Sequence, residues 1–180
     1  DISGYPQLKD VSNASEFEAV ADKDIVVVSP SIENSHKIVE YAKRFNVPVI
    51  GEIELGYRYC KGGIIAITGT NGKTTTTKLI NEIINAGAKK AYALGNIGES
   101  FCAHADKIAE DEIAVLEVSS FQLENIKQFR PRISACLNIT PDHLERHKSL
   151  ENYAMAKFNI FINQGIGDCA ILNYDDTIVR

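Results

Sequence analysis

The sequence has no tryptophan, one methionine and five prolines in 180 residues. So little proline excludes a polyproline or collagen-like rod and leaves most of the chain free to form regular structure. No run approaches ~18 consecutive apolar residues, the length that a membrane-spanning helix needs. The opening residues Asp1-Ile2-Ser3-Gly4 carry no basic stretch followed by an apolar core, so no signal peptide is read. Paired cysteines are missing too. Cys60, Cys102, Cys136 and Cys169 are scattered singly, and with no C-x-x-C pair there is neither a zinc ribbon nor a thioredoxin-like motif. Scattered thiols suit a reducing cytoplasm, with two disulfides as the lesser alternative. Excess positive charge is also lacking: the formal net charge is −5, which argues against a nucleic-acid partner. With 44% hydrophobic and 24% charged residues, the chain has the make-up of an ordinary folded domain and can bury a core.

What is present is an alternation of short apolar runs and helical patterns. Residues 25–29 form a nearly all-apolar run ended by Pro30, the mark of a strand buried on both faces. Between residues 33 and 45, Ile38, Val39, Ala42 and Phe45 recur at helical spacing, and residues 47–50 read as a second strand. A helical patch over 52–59 follows, and Gly62-Gly63 marks a hinge or domain boundary. Further strands are expected at 64–68, 91–94, 113–118, 134–139 and 169–172, with helices at about 73–86, 120–128 and 149–163. This alternation predicts an α/β fold: a parallel sheet with helices on both faces and ligands beyond the carboxyl ends of the strands. The chain starts without an initiator methionine and stops just after a strand, so it is expected to be a piece of a larger protein.

The strand at 64–68 runs into Gly69-Thr70-Asn71-Gly72-Lys73-Thr74-Thr75-Thr76 and then a helix. Strand, glycine-rich turn, lysine, hydroxyl residue and helix form the setting of a phosphate-binding loop. Glycines let backbone N–H groups curl around an anion, and the helix N-terminus adds partial positive charge. Lys73 would reach the terminal phosphates, and Thr74 or Thr75 would meet Mg2+. The pattern is a shortened G-x-x-G-K-T, since Ile67 stands where the longer form has its first glycine. The plainer alternative is a helix start capped by threonine hydroxyls.

Other polar residues gather at the ends of the remaining strands. Glu117 closes an apolar run, and a buried carboxylate needs a partner: a cation such as Mg2+, or a salt bridge to Lys or Arg. Ser119 and Ser120 follow it at what reads as a strand-to-helix corner, where either could cap the helix. Asn96 lies between glycines in Gly95-Asn96-Ile97-Gly98, suited to a turn or to close ligand approach. His143 and His147 are four apart and could share a helix face as a zinc pair, although H-E-x-x-H is absent; an ordinary surface histidine is the alternative. Lys157 reads from spacing alone as a helix-surface lysine.

As a set, Thr68-Gly69-Thr70-Asn71-Gly72-Lys73-Thr74-Thr75, Gly95-Asn96-Ile97-Gly98, Glu117-Val118-Ser119-Ser120-Phe121-Gln122-Leu123-Glu124, Asn138-Ile139-Thr140-Pro141-Asp142-His143 and Tyr153-Ala154-Met155-Ala156-Lys157 resemble the Mur ligases, ATP-dependent amide ligases of peptidoglycan precursor synthesis. The stretch from Glu117 to Glu124 and the run Val49-Ile50-Gly51-Glu52-Ile53-Glu54-Leu55 most resemble the branch that adds D-glutamate to UDP-N-acetylmuramoyl-L-alanine. The resemblance implies that residues 1–60 are the later part of an N-terminal Rossmann-like UDP-binding domain. Residues 61–180 would be the first part of a P-loop-type central ATPase domain, and the C-terminal domain would be absent.

The resemblance further implies ATP and Mg2+ as cofactors, with Gly69 to Thr76 on the phosphates and Lys73, His143 and Lys157 in catalysis. Thr74 and Glu117 would hold a first Mg2+, His143 and a carbamylated Lys157 a second. Asn96, Ser119 and His143 would contact the nucleotide-sugar substrate. A cytoplasmic monomer with small-molecule partners, no nucleic acid and no membrane is expected. Another Mur ligase or a folylpolyglutamate-type enzyme would share the loop; a non-catalytic nucleotide-binding module is the alternative of another class. A GTPase or kinase fits the short loop poorly.

Overall fold

The computed structural model describes residues 20–180. Within it β1 (Val26–Val28) and β2 (Val49–Gly51) pair in parallel, Val26 opposite Val49, joined by α1 (Lys37–Arg44). Val39 and Ala42, three apart on α1, face the strands and join Val20, Val26, Val28 and Val47 in a small core. The helix starts later than the apolar spacing suggested because the His36 ring caps it, accepting the N–H of Ile38. The part of the N-terminal domain assignment that covers residues 1–19 lies outside the described residues.

The chain passes from β2 directly into α2 (Glu52–Tyr59), whose Ile53 is buried in the core of a second, larger sheet. In space that sheet runs β4 (Ala91–Gly95), β5 (Ile113–Glu117), β3 (Gly63–Thr68), β6 (Ile133–Cys136), β7 (Cys169–Leu172), every pair parallel. Alternation within the central strands divides two cores. Ile64, Ala66, Ala114 and Leu116 point to one face with Phe101, Leu123, Phe129 and Ile53. Ile65, Ile67, Ile113 and Val115 point to the other, against Ile80 and Ile84 of α3 (Lys73–Asn85). Each such aliphatic side chain contributes about 1.5–3 kcal/mol by its burial. At the β6 end, α5 (Leu150–Phe158) packs Tyr153 and Ala154 on Cys136. The predicted parallel sheet with helices on both faces is therefore what forms.

Two expectations are corrected. Residues 120–128 form turns rather than a helix, because their polar groups bond elsewhere. The buried Glu54 carboxylate accepts the N–H groups of Lys127, Gln128 and Phe129, the Asn125 carbonyl accepts the N–H of Gly51, and the Gln122 amide bonds Glu52. The strand expected over 134–139 stops at Cys136, since Asn138 turns to clasp the loop after β3 and Ile139 donates to Asp176. Gly62 is also a close-packing point: a Cβ there would lie 2.6 Å from the Glu112 carbonyl oxygen. Among the described residues no helix is long and apolar enough to cross a membrane, and Cys60, Cys136 and Cys169 are free thiols.

Candidate active site

The register of the second sheet sets Ile67, Gly95 and Glu117 level, so the ends of β3, β4 and β5 open on one place. From β3 the chain enters the loop Gly69 to Gly72, with φ of +145° at Gly69 and +84° at Gly72. Gly72 is the N-cap of α3 and no side chain caps this end, so the threonine-capped alternative is not what forms. The loop is held from outside. Asn71 and Asn138 exchange two bonds, N–H to Oδ1 at 2.8 Å and Nδ2 to the Asn71 carbonyl at 3.0 Å. Thr70 Oγ1 accepts the Thr140 N–H at 3.0 Å. Thr75 is exposed and Thr76 half-buried on the first two turns of α3.

Lys73 folds back over this loop, its Nζ donating to the carbonyls of Gly69 at 2.9 Å and Thr70 at 2.8 Å. Lys157 arrives from α5 and donates to the same Gly69 oxygen at 2.8 Å. Unlike the surface lysine that spacing suggests, Lys157 is 2% exposed, with its ammonium 4.5 Å from the Tyr153 ring centre. Burial, reinforced by the Lys73 charge, pulls its pKa down to about 8. Two ammonium groups thus meet on one neutral oxygen.

Glu117 is 3% exposed, and its protein partners here are two neutral donors rather than the Lys or Arg of the salt-bridge alternative. Thr74 Oγ1 donates to its Oε2 at 2.7 Å and Asn96 Nδ2 to its Oε1 at 3.0 Å. Gly95 makes room for this: its φ is +102°, and a Cβ would collide with the Glu117 carbonyl oxygen.

The histidines do not act as a pair. His143 precedes α4 (Leu144–His147) with φ of +52°, a conformation rare outside glycine, and its exposed ring lies 4.9 Å from the Phe121 ring. His147 is buried, stacked on Phe121 at 5.2 Å and bonded through Nε2 to Ser120 Oγ at 3.0 Å. Burial lowers its pKa. Ser119 caps no helix; its Oγ accepts the N–H of Gln122 in a local turn. A cleft of about 390 Å³ collects Lys73, Asn96, Ser119, His143 and Lys157, with Pro30, Phe121, Arg146 and Tyr153 also on its walls. Pattern reading missed Phe121, Arg146 and Tyr153 as site residues, although Phe121 and Tyr153 stand inside the quoted motifs.

The donor set suits a polyphosphate with a hard cation. An uncapped helix end, two lysines and curled backbone amides favour an anion. A threonine hydroxyl and a carboxylate side by side are oxygen ligands of the kind Mg2+ takes. Among the described residues no three His, Cys, Asp or Glu side chains are grouped to hold a metal ion. A cation at Thr74 and Glu117 would therefore take its remaining oxygens from phosphate and water, as Mg2+ commonly does.

Comparison with known proteins agrees. The Mur ligase middle domain matches residues 67–180. The chain is 48% identical over 179 residues to a UDP-N-acetylmuramoylalanine–D-glutamate ligase of Alkaliphilus oremlandii, covering 99% of this chain and 38% of that protein. It is 51% identical over 155 residues to the ligase of the same name from Koribacter versatilis, covering 86% and 34% respectively. The chain thus spans well under half the length of these curated relatives. Among solved structures, the MurF ligase of Thermotoga maritima in complex with ADP superposes with a TM-score of 0.55 at 18% identity, covering 87% of this chain and 45% of that one. The UDP-N-acetylmuramate:L-alanyl-gamma-D-glutamyl-meso-diaminopimelate ligase of Neisseria meningitides gives 0.56 at 16% identity, covering 86% and 53%. At such identity the likeness speaks for the fold. The chain belongs to the Mur ligase family, and residues 67–180 carry its middle domain.

Proposed function

We propose that the full protein is an ATP-dependent amide ligase that adds D-glutamate to UDP-N-acetylmuramoyl-L-alanine in the cytoplasm, and that this chain supplies the phosphate-binding half of its site. The observation that carries this reading is the convergence of Lys73 and Lys157 on the Gly69 oxygen, beside the Thr74–Glu117–Asn96 chain. It is supported by relatives of that name at 45–51% identity. In the proposed layout β1 to β2 belong to the UDP-binding domain and the second sheet to the central ATPase domain.

The L-alanine carboxylate oxygen attacks the γ-phosphorus of ATP and ADP leaves, giving an acyl phosphate. The D-glutamate amine then attacks the acyl carbon, and phosphate departs with the former carboxylate oxygen. Both steps gather negative charge. Lys73 exchanges its two backbone carbonyls for phosphate oxygens and offsets that charge from a fixed position. Gly69 to Gly72 cradle the phosphates, with Thr75 and Thr76 on the adjoining helical turns. Thr74 and Glu117 would hold one Mg2+, His143 and a carbamylated Lys157 a second; the ions would supply charge neutralisation on the phosphates. Lys157 suits that modification because a pKa of about 8 leaves an appreciable fraction of neutral amine to react with CO2. Asn96 and Ser119 line the wall where the nucleotide-sugar end of the substrate would lie.

The test is ADP release by the full-length protein with Mg·ATP, UDP-N-acetylmuramoyl-L-alanine and D-glutamate, omitting each in turn. Release that requires all of them supports the ligase. Release that ignores D-glutamate, or is equally fast with another amino acid, contradicts it.

A further inference from the structure

The cleft has one wall from each sheet: Pro30 and Ser31 follow β1, whereas Asn96, Ser119 and His143 follow strands of the second sheet. Something must hold those walls at a fixed spacing, and the side chain that crosses between them is Arg146 of α4. Its Nη1 donates to the Pro30 carbonyl at 2.7 Å, and its Nη2 to Glu124 Oε2 at 2.7 Å and to the Ile32 carbonyl at 3.5 Å. The guanidinium carbon also lies 4.2 Å from the centre of the Phe121 ring, whose neighbours are His143 and His147.

Arg146 lines the cleft, yet its geometry is not that of a ligand. Its side chain is 12% exposed, its charge is matched by Glu124, and its fork is already bonded to carbonyls. Only a planar, multiply donating cation can bond a carboxylate and two carbonyls while stacking on a ring; lysine cannot. We propose that Arg146 is a positioning residue, which clips the loop after β1 onto Phe121 and the His143 turn and so sets the width of the cleft for the nucleotide-sugar substrate. This rests on the ligase reading above. The contacts of Arg146 are with Pro30, Ile32, Glu124 and Phe121 and not with the loop after β3 that would take ATP, so the clip bears on the nucleotide sugar that would touch both walls. Misplacing one wall by an ångström costs up to about 100-fold in the step that depends on it.

The test compares Arg146→Met and Arg146→Lys with wild type in the full-length protein. In Arg146→Met the KM for UDP-N-acetylmuramoyl-L-alanine is expected to rise about 10-fold or more while that for ATP stays within about twofold, because only the interaction with one substrate is weakened. Arg146→Lys, which keeps the charge and loses the fork, should recover little. Independently of turnover, backbone amides over residues 29–33 of Arg146→Met should exchange with deuterium faster than in wild type, with α3 unchanged. Equal rises in both KM values, full rescue by lysine, or unchanged exchange over 29–33 each overturns the proposal. A wild-type protein that releases no ADP with these substrates would overturn the ligase reading instead, and the exchange measurement would still decide the clip.

Discussion

Lys73 and Lys157 donate to one and the same acceptor, the Gly69 carbonyl oxygen, at 2.9 and 2.8 Å. An ammonium pair sharing a single neutral oxygen is under mutual repulsion, and Lys157 has little water to relieve it. Burial first, and Lys73 second, hold its pKa at about 8 against an ordinary 10.5. The folded state therefore binds fewer protons than the unfolded one between those values, and stability rises with pH across that window. In CO2-free buffer, where Lys157 is the unmodified amine, replacing it by Met removes this cost and is expected to stabilise the protein by about 3 kcal/mol at pH 7, a gain that shrinks toward pH 10.5, while abolishing turnover. Urea unfolding at pH 7 and pH 10 checks the sign; a destabilised Lys157→Met at pH 7 contradicts it.

Glu54 behaves oppositely. Burial alone would raise its pKa, but three backbone N–H groups and Arg58 outweigh that and hold the carboxyl below its ordinary 4.5. Its contribution is fully present above pH 4.5 and is lost as pH falls through the lowered folded-state value. Glu54→Gln can keep its one oxygen on the three backbone donors only by setting its NH2 group against the Arg58 Nε–H, and is expected to cost about 3–5 kcal/mol at pH 7. The gap from wild type should narrow on acidification, as urea midpoints at pH 7 and pH 3.5 would register.

Lys73→Met is expected to lower kcat by about 1,000-fold, the scale of losing a preorganised donor to developing charge. ADP-release kinetics measure it. A loss under tenfold would mean that Lys73 faces the loop and not the phosphates.

Asn96 orients Glu117 through the 3.0 Å bond from its amide. Asn96→Ala should raise the Mg2+ concentration needed for half-maximal rate by about 10-fold, the usual effect of removing a group that orients a metal ligand. An unchanged Mg2+ titration would separate Asn96 from the Thr74–Glu117 pair.

Much of this was legible in residue order because the physics there is local. Apolar runs with helical spacing between them specify the parallel sheet, and glycines followed by Lys73 and Thr74 specify the anion loop. Residues 120–128 misled because their helical spacing is real, but the Glu54 carboxylate, buried some seventy residues earlier in the chain, claims the backbone donors a helix would use. The bonds of Glu117 to Thr74 and Asn96 were not legible, because only tertiary structure brings those neutral donors close. Arg146 was silent for the same reason: a basic residue on a short helix looks solvated until the fold lays Pro30, Glu124 and Phe121 around it.

The chemistry proposed for the site is tested most directly by oxygen transfer. The full-length protein would be given Mg·ATP, D-glutamate and UDP-N-acetylmuramoyl-L-alanine carrying 18O in its L-alanine carboxylate. Acyl-phosphate formation predicts one 18O atom in the released phosphate for each amide bond made. Unlabelled phosphate with amide bonds still forming would contradict carboxylate activation by ATP at this site.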